Sequence, residues 1–179
     1  PSRILYVGGI NKPKGIDHLL RAAKGLLEAA HQPIEVLLIG EGEQDKRART
    51  LATQLGIGDA VTFLGKRPNT EIPLWMNACD LVVLPSLSEG FGVALIEAMA
   101  CGKPVVATRC GGPEDIVTAN TGILVPPGDE IALAKALHDV LSDQDRFDPR
   151  KIRRRAVANY AYGNIASGIT KVYREVVRA

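Results

Sequence analysis

The chain has 179 residues, of which 46% are hydrophobic and 23% are charged, a balance typical of folded globular domains rather than of disordered chains. Its formal net charge of +2 is too small to favour nucleic acid as the main partner. No apolar run approaches the roughly 20 residues that span a bilayer, and the three cysteines lack metal-like spacing, so we expect a cytoplasmic protein from a reducing compartment.

Six short runs rich in β-branched residues are the strand candidates. They begin at Arg3 (RILYVG), Ile34 (IEVLLIG), Ala60 (AVTFLG), Asp80 (DLVVLP), Lys103 (KPVVAT) and Thr121 (TGILVP). Their hydrophobicity is continuous rather than alternating, which predicts strands that are buried on both faces of a sheet.

Amphipathic segments separate the strand candidates. Apolar residues recur at three- and four-residue steps over residues 15–30 and 129–141, and another helix is predicted to begin near Val93. Because strands that alternate with helices form parallel βαβ units, we expect an α/β fold. Residues 1–179 would form one Rossmann-like domain, a doubly wound parallel sheet of about six strands with helices on both faces.

The end of the chain has a different pattern. From Asp148 onward it contains two helical segments and no strand signal, and the last segment, residues 164–178, would cross over or extend beyond the sheet. The sequence also begins PSRILYVG, without a methionine and directly in a predicted strand. We therefore expect it to be a piece of a longer protein.

The loop after the first strand has the composition of a phosphate site. The sequence VGGINKPKGIDHLL places Gly8 and Gly9 at the end of the strand and Lys14-Gly15 at the start of a helix. In such a sheet, ligands bind outside the carboxyl ends of the strands, and a lysine beside a glycine turn commonly binds phosphate. A solvated loop lysine is the simpler interpretation of Lys14 taken alone.

Two glutamates flank the glycine turn after the fourth strand. In SEGFGVALIEAMACGKPVVAT, Glu89 lies in the loop and Glu97 about one turn into the next helix. The free N–H groups of the helix start suit an anion such as a diphosphate, whereas carboxylates accept hydrogen bonds from hydroxyls. The pattern therefore fits a nucleotide sugar, with phosphate in the middle and hydroxyls on both sides. The alternative is a capping Glu89 and an exposed Glu97 that the helix dipole stabilises.

Taken together, these segments resemble one protein family. The matching residues keep their order over nearly the whole chain: Gly8, Lys14-Gly15, VTFLG from Val61, PSLSEGFGVALIEAMACGKPVVAT from Pro85 and TGILVPPGD from Thr121. They resemble the retaining glycosyltransferases of the two-Rossmann-domain (GT-B) architecture, in particular glycosyltransferase family 4, group 1. The Glu-x7-Glu spacing in its EGFG…EAMA setting is the most specific part of the resemblance.

The resemblance implies the activity and the missing half of the enzyme. The chain would be the C-terminal, donor-binding half of a transferase that moves a sugar from a nucleoside-diphosphate sugar to an acceptor hydroxyl with retention of configuration. The N-terminal acceptor-binding domain would lie outside this chain, and the last helix would reach back to it. No metal or other cofactor would be required, and the chain alone would have little activity.

The same resemblance implies a role for each site residue. Glu89 would be the catalytic residue, in contact with sugar hydroxyls near the reacting carbon, and Glu97 would hold the ribose hydroxyls. Lys14 would neutralise the diphosphate. The other donor-binding positions would be Gly8, Gly9, Gly90, Phe91, Gly92 and Val93 at the diphosphate and sugar, and Lys66 and Arg67 beside the base.

Gly9 departs from the family pattern. The family usually has an arginine at this position as a second cation on the diphosphate, and the loss of such a partner costs about 1.5–3 kcal/mol. Arg67 or Arg109 could replace it. The departure supports an alternative function, a non-catalytic nucleotide-sugar-binding or regulatory domain. A related epimerase of the same two-domain form is a second alternative, against which the EGFG…EAMA spacing argues.

Two further patterns are interpreted as surface features. Asp143-Gln144-Asp145 matches the Asp-x-Asp motif of metal-dependent glycosyltransferases with a different fold, but it lies at a predicted helix end among polar residues. Five basic residues between positions 150 and 155 are interpreted as a solvated helix face. Attraction to anionic lipid or to nucleic acid is the alternative for this basic run, and the first would allow peripheral membrane association of the full-length enzyme.

Overall fold

Six parallel strands form one sheet in the computed structural model, which describes residues 1–30 and 32–177. The strands are β1 (Ser2–Val7), β2 (Ile34–Ile39), β3 (Val61–Gly65), β4 (Leu81–Leu84), β5 (Val105–Thr108) and β6 (Gly122–Val125). Their order across the sheet is β3-β2-β1-β4-β5-β6, and every neighbouring pair is parallel. The predicted doubly wound α/β fold is confirmed.

Helices cover both faces of this sheet. They are α1 (Ile16–Ala29), α2 (Asp45–Gln54), α3 (Ile72–Asn77), α4 (Val93–Ala100), α5 (Pro113–Ile116), α6 (Glu130–Ser142), α7 (Pro149–Tyr160) and α8 (Tyr162–Val177). Helix α1 packs against α2 and α6, whereas α4 packs against α3, α5 and α7. The helices predicted from periodicity over residues 15–30 and 129–141 correspond to α1 and α6, and the helix predicted to begin near Val93 corresponds to α4.

The continuous hydrophobicity of the strands has the expected consequence. All residues of β4 and β5 are buried, because helices cover them from both sides. Burial of each Val or Leu side chain contributes about 1.5–3 kcal/mol to the stability of the fold. The central strands therefore form a rigid base for the loops that leave their carboxyl ends.

The strand order creates a crevice between β1 and β4. From β1 the chain runs in sequence order to one edge of the sheet, and from β4 it runs to the other. The loop after β1 leads to α1 on one face, whereas the loop after β4 leads to α4 on the opposite face. At such a switch point the two loops diverge and leave room for a ligand.

The last helix lies outside this compact arrangement. Helix α8 packs against α7, and none of its residues is buried. It begins at Tyr162, two residues before the predicted start, while its predicted end at Arg178 lies outside the described residues. Within residues 1–30 and 32–177, no helix has both the length and the hydrophobicity that crossing a membrane requires.

Two glycines allow the loop after β1 to pack closely against the backbone of its neighbours. Gly40, which follows β2, has a φ of 139°, and an added Cβ would overlap the carbonyl oxygen of Gly8. Gly15, which follows the loop, has a φ of 66°, and an added Cβ there would overlap the carbonyl oxygen of Pro85. The loop is thus held against its two neighbours at points that have no space for a side chain.

We predict that Gly40→Ala destabilises the fold by at least about 2 kcal/mol, because it combines a disfavoured φ with a backbone overlap. The measurement is the unfolding free energy from urea denaturation. Gly25→Ala is the matched control, because Gly25 lies in α1 with no atom near its missing Cβ. That substitution should stabilise the chain by about 1 kcal/mol. Equal effects of the two substitutions would contradict this account of the loop.

Candidate functional site

A cavity of about 440 Å³ opens at the carboxyl ends of β1, β2 and β3, beside α4. Five of the predicted donor-binding residues line it: Gly8, Gly9, Lys66, Arg67 and Glu97. They come from three separate parts of the sequence, and the sheet order brings them together. The cavity therefore lies at the carboxyl edge, where ligands bind in sheets of this type.

Glu97 lies on α4 at the mouth of the cavity. Its residue surface is exposed, yet partial burial among its neighbours raises the pKa of its carboxyl group above the ordinary value of 4.5. The carboxylate has no hydrogen-bond partner recorded among the described residues. It is an available acceptor that points to a ligand with donor groups, such as hydroxyls.

Arg67 and Lys66 line the same cavity from the loop after β3. The Arg67 guanidinium carbon lies 5.8 Å from the centre of the Trp75 ring, a contact that orients the charged group. The Nε atom of Arg67 is buried without a hydrogen-bond partner in the part of the chain that the structure describes. An unpaired, oriented guanidinium in a cavity suits an anion or a base with acceptor edges.

Lys14 and Glu89 form an ion pair next to this cavity. Lys14 Nζ lies 2.6 Å from Glu89 Oε2, and the two side chains are only 25% and 14% exposed. The hydroxyl of Ser86 donates a weaker hydrogen bond of 3.4 Å to the same oxygen. Because the pair is shielded, its attraction exceeds that of an ordinary surface salt bridge.

The backbone around Glu89 is fixed by the loop after β5. Glu89 forms a parallel bridge with Gly111, and the N–H of Gly112 donates to the Glu89 carbonyl at 3.0 Å. On the other side, the N–H of Leu87 donates to the carbonyl of Pro13 at 2.7 Å, which joins the loops after β4 and β1. Lys14 and Glu89 are therefore held together by their backbones as well as by their charges.

The glycine turn leads directly into α4. Gly92 is the N-cap residue with a φ of 95°, and no side chain among the described residues caps the first turn of this helix. The Leu95 N–H donates to the Gly92 carbonyl, so the first two helical residues supply the N–H groups that an acceptor could reach. Phe91 is half exposed and contacts Tyr160 of α7 edge-on, with the ring centres 6.2 Å apart. Val93 is exposed at the helix start.

The predicted residues thus form two neighbouring groups. Gly8, Gly9, Lys66, Arg67 and Glu97 line the cavity, whereas Lys14, Glu89 and residues 90–93 belong to the adjacent loops and the start of α4 and do not line it. A side chain at Gly9 would crowd Asn11, because an added Cβ would lie 3.0 Å from Asn11 Nδ2. Arg109 is exposed and does not line the cavity.

Sequence reasoning missed several lining residues. Glu41, Asn69 and Ile72 also line the cavity. The first follows β2, between Gly40 and Gly42, and the others follow β3. The rule that ligands bind at the carboxyl ends of strands would have identified them as candidates.

Within residues 1–30 and 32–177, no group of three His, Cys, Asp or Glu side chains is placed to hold a metal ion. Asp143 and Asp145, the acids of the Asp-x-Asp pattern, are exposed after the end of α6. Neither is among the described residues that line the cavity.

Comparisons with known proteins agree with this geometry. The sequence profile of the family described as glycosyl transferases group 1 matches residues 1–163. A D-inositol 3-phosphate glycosyltransferase from Corynebacterium urealyticum is 38% identical over 179 residues, which cover 96% of this chain and 42% of that relative.

Two solved structures are similar over nearly the whole chain. Sucrose-phosphate synthase from Thermosynechococcus elongatus superposes with a TM-score of 0.87 at 33% identity, over 99% of this chain and 46% of that one. Anabaena HepE, solved in complex with UDP and glucose, superposes with a TM-score of 0.87 at 29% identity, over 97% of this chain and 48% of that one. This chain spans less than half the length of these relatives, and it belongs to the glycosyl transferases group 1 family.

Proposed function

We propose that this chain is the donor-binding domain of a retaining glycosyltransferase that transfers a sugar from a nucleoside-diphosphate sugar to an acceptor hydroxyl. The observation that supports the proposal is the cavity at the carboxyl ends of β1, β2 and β3, where Gly8, Gly9, Arg67 and Glu97 converge, with the Lys14–Glu89 pair in the adjacent loops. These residues offer separate groups for a base, a ribose, a diphosphate and a sugar.

In the proposed complex, the nucleoside occupies the cavity. Glu97 accepts hydrogen bonds from the ribose hydroxyls, and Lys66 and Arg67 lie beside the base. UDP is the first candidate nucleotide, because HepE, a relative at 29% identity, was solved with UDP.

The diphosphate and the sugar extend from the cavity towards the ion pair. Lys14, the backbone at Gly8 and Gly9 and the start of α4 stabilise the diphosphate, while Glu89 and the backbone of residues 90–93 contact the sugar. When the bond from the sugar carbon to the diphosphate breaks, negative charge grows on the leaving group. These fixed positive groups stabilise that charge and take the role a metal ion has in other transferases.

Ligand binding changes the partners of Lys14. In the structure its ammonium group is paired with Glu89 at 2.6 Å, so the diphosphate competes with this carboxylate for the same cation. A bound diphosphate carries more negative charge than the Glu89 carboxylate, so it takes over part of the interaction with Lys14. Glu89 then has acceptor capacity left for hydroxyls of the donor sugar.

Arg67 supplies the second cation that Gly9 does not. Of the two candidates named from the sequence, Arg67 lines the cavity and Arg109 does not. The buried, unpartnered Nε of Arg67 also gains a hydrogen-bond acceptor when an anionic ligand binds. We therefore assign to Arg67 a contact with the phosphate side of the nucleotide as well as with the base.

The rest of the enzyme would supply the acceptor site. The chain covers 42% of its Corynebacterium relative, and we propose that an N-terminal acceptor-binding domain accounts for most of the difference. The chain alone should then bind a donor but transfer little sugar. The exposed basic residues of α7 would allow the full-length enzyme, a cytoplasmic protein in this proposal, to associate peripherally with anionic lipid.

The central test is Lys14→Ala. We expect it to raise the Kd for UDP about 10- to 100-fold, because a charge-assisted contact with the diphosphate is lost. Calorimetry at two salt concentrations should also show a weaker salt dependence than in the wild type. If UDP does not bind the wild type, GDP and ADP are tested next.

Lys24→Ala is the control for Lys14→Ala. Lys24 is an exposed lysine of α1 that pairs loosely with Glu28, at 3.7 Å. The Lys24→Ala variant should bind UDP with the same Kd as the wild type. Failure of all three nucleotides to bind the wild type, or wild-type affinity in Lys14→Ala, would overturn the proposed function.

Glu97→Gln tests the ribose contact. The wild type should prefer UDP over 2′-deoxy-UDP by about 5- to 20-fold, because a hydroxyl bound to a carboxylate is worth about 1–2 kcal/mol. In Glu97→Gln this preference should largely disappear while residual binding of the deoxy ligand stays close to the wild-type value. Competition calorimetry measures both ligands. An unchanged preference would remove Glu97 from the ribose site.

The same variant should show a pH-dependent gain in stability. Burial raises the folded-state pKa of Glu97, so the empty fold favours its protonated form, and the stability this provides is lost as pH rises through that pKa. Glutamine stays neutral at every pH. We expect Glu97→Gln to unfold at a higher temperature than the wild type near pH 7 and at about the same temperature near pH 4. Thermal melts without ligand test this, and a gain that is independent of pH would contradict it.

A further inference from the structure

A buried hydroxyl at the end of β5 holds the loop after β4. Thr108, the last residue of β5, is 2% exposed, and its hydroxyl donates a hydrogen bond to the carbonyl oxygen of Ser86, a completely buried residue. Because a carbonyl oxygen can only accept, the hydroxyl must be the donor in this contact. The Cys110 sulfur lies 3.4 Å from the same hydroxyl oxygen, and a thiol is the weaker partner. Loss of the Thr108 hydroxyl would leave the Ser86 carbonyl buried without its donor.

The peptide group held by Thr108 is also the one that joins the loops after β4 and β1. Ser86 and Leu87 share this peptide group, and its other end, the Leu87 N–H, donates to the carbonyl oxygen of Pro13 at 2.7 Å. That carbonyl belongs in turn to the peptide group between Pro13 and Lys14. Since each peptide group is a rigid plane, the two hydrogen bonds connect the Thr108 hydroxyl in series with the backbone of Lys14. Hydrogen bonds in series polarise and strengthen one another.

The loop after β5 holds the same segment three residues further on. The N–H of Gly112 donates to the Glu89 carbonyl at 3.0 Å, and the Ser86 hydroxyl donates to Glu89 Oε2 at 3.4 Å. Residues 86–89 are thus fixed at both ends by β5 and the loop that follows it. The loop after β1 is attached between these two points.

We propose that Thr108 is a positioning residue of the donor site, whose hydroxyl holds the Ser86–Leu87 peptide group so that Lys14 stays in place for the diphosphate. The inference rests on the proposed function. Thr108 is buried and does not line the cavity, so it acts through the two loops rather than on the ligand. A lysine side chain is flexible, so the place of its ammonium group depends on where the backbone is held. A cation held in place in advance costs less to order when the ligand binds.

Thr108→Val is the direct test, because valine has nearly the shape of threonine without the hydroxyl. For the 179-residue chain and UDP, or GDP or ADP if one of these binds the wild type more tightly, we expect the Kd to rise about 3- to 10-fold. Thr108→Ser keeps the hydroxyl and should bind within about twofold of the wild type. If Thr108→Val does not fold, Thr108→Ala gives the same test, because it places no methyl group against the Ser86 oxygen. NMR titration measures these affinities.

A double-mutant cycle separates the positioning of Lys14 from general destabilisation. In the Lys14→Ala background, Thr108→Val should change the Kd less than about twofold, because the group that Thr108 positions is already absent. Thr121→Val is the matched control, since Thr121 is buried and its hydroxyl bonds within the turn at residues 118–121. It should lower the melting temperature without changing the Kd.

The Leu87 amide proton reports on the same hydrogen bonds without any ligand. Loss of the bond to the Ser86 carbonyl weakens the bond from the Leu87 N–H, because both ends belong to one peptide group. In Thr108→Val the Leu87 amide proton should therefore shift upfield and exchange faster with solvent. Neither change is expected in Thr121→Val.

The outcomes distinguish this inference from the proposed function. If the wild type binds a nucleoside diphosphate, an unchanged Kd in Thr108→Val, an equal loss of affinity in the Lys14→Ala background or an unchanged Leu87 resonance would each overturn the role of Thr108 alone. Binding by Thr108→Ser that is as weak as binding by Thr108→Val would also overturn it, because the hydroxyl would then not be the group that matters. If no nucleoside diphosphate binds the wild type, the proposed function fails and this inference fails with it.

Discussion

The candidate site depends on the close approach of three loops that have no space for side chains at their contacts. The loop after β1 passes between the loops after β2 and β4, and glycines at positions 15 and 40 allow backbone to meet backbone there. A loop held in this way loses little entropy when a ligand binds, since its conformation is already fixed. The glycines therefore hold the loop in its conformation before a ligand binds. The rigid central strands keep the ends of the loop in place.

Charge distribution within the site follows from this geometry. The backbone contacts bring Lys14 beside Glu89, and the two side chains pair at 2.6 Å. Glu97 and Arg67, by contrast, form no side-chain ion pair within the described residues. The site thus holds one ion pair and two unpaired groups of opposite charge. A ligand that presents donors to Glu97 and acceptors to Arg67 fits both.

The sequence was sufficient to predict the sheet, because strands buried on both faces need continuous apolar runs and the six runs have no other interpretation as a set. It also predicted which loops meet. It could not predict that Glu89 pairs with Lys14 or that the Thr108 hydroxyl bonds to Ser86, because both contacts depend on side-chain directions set by tertiary packing. Glu41 and Asn69 were missed because their neighbours carry no motif, although each follows a strand at the same edge.

The two-part site constrains the shape of its ligand. The cavity with Glu97 and Arg67 lies on the α4 side of the loop after β1, and the Lys14–Glu89 pair lies where that loop meets the loop after β4. A compact ligand can occupy only one of these places. A ligand that fills both must be extended, with hydroxyls at each end and an anion between them, near the start of α4. A nucleoside diphosphate without its sugar has hydroxyls at one end only, so it leaves Glu89 with no new partner.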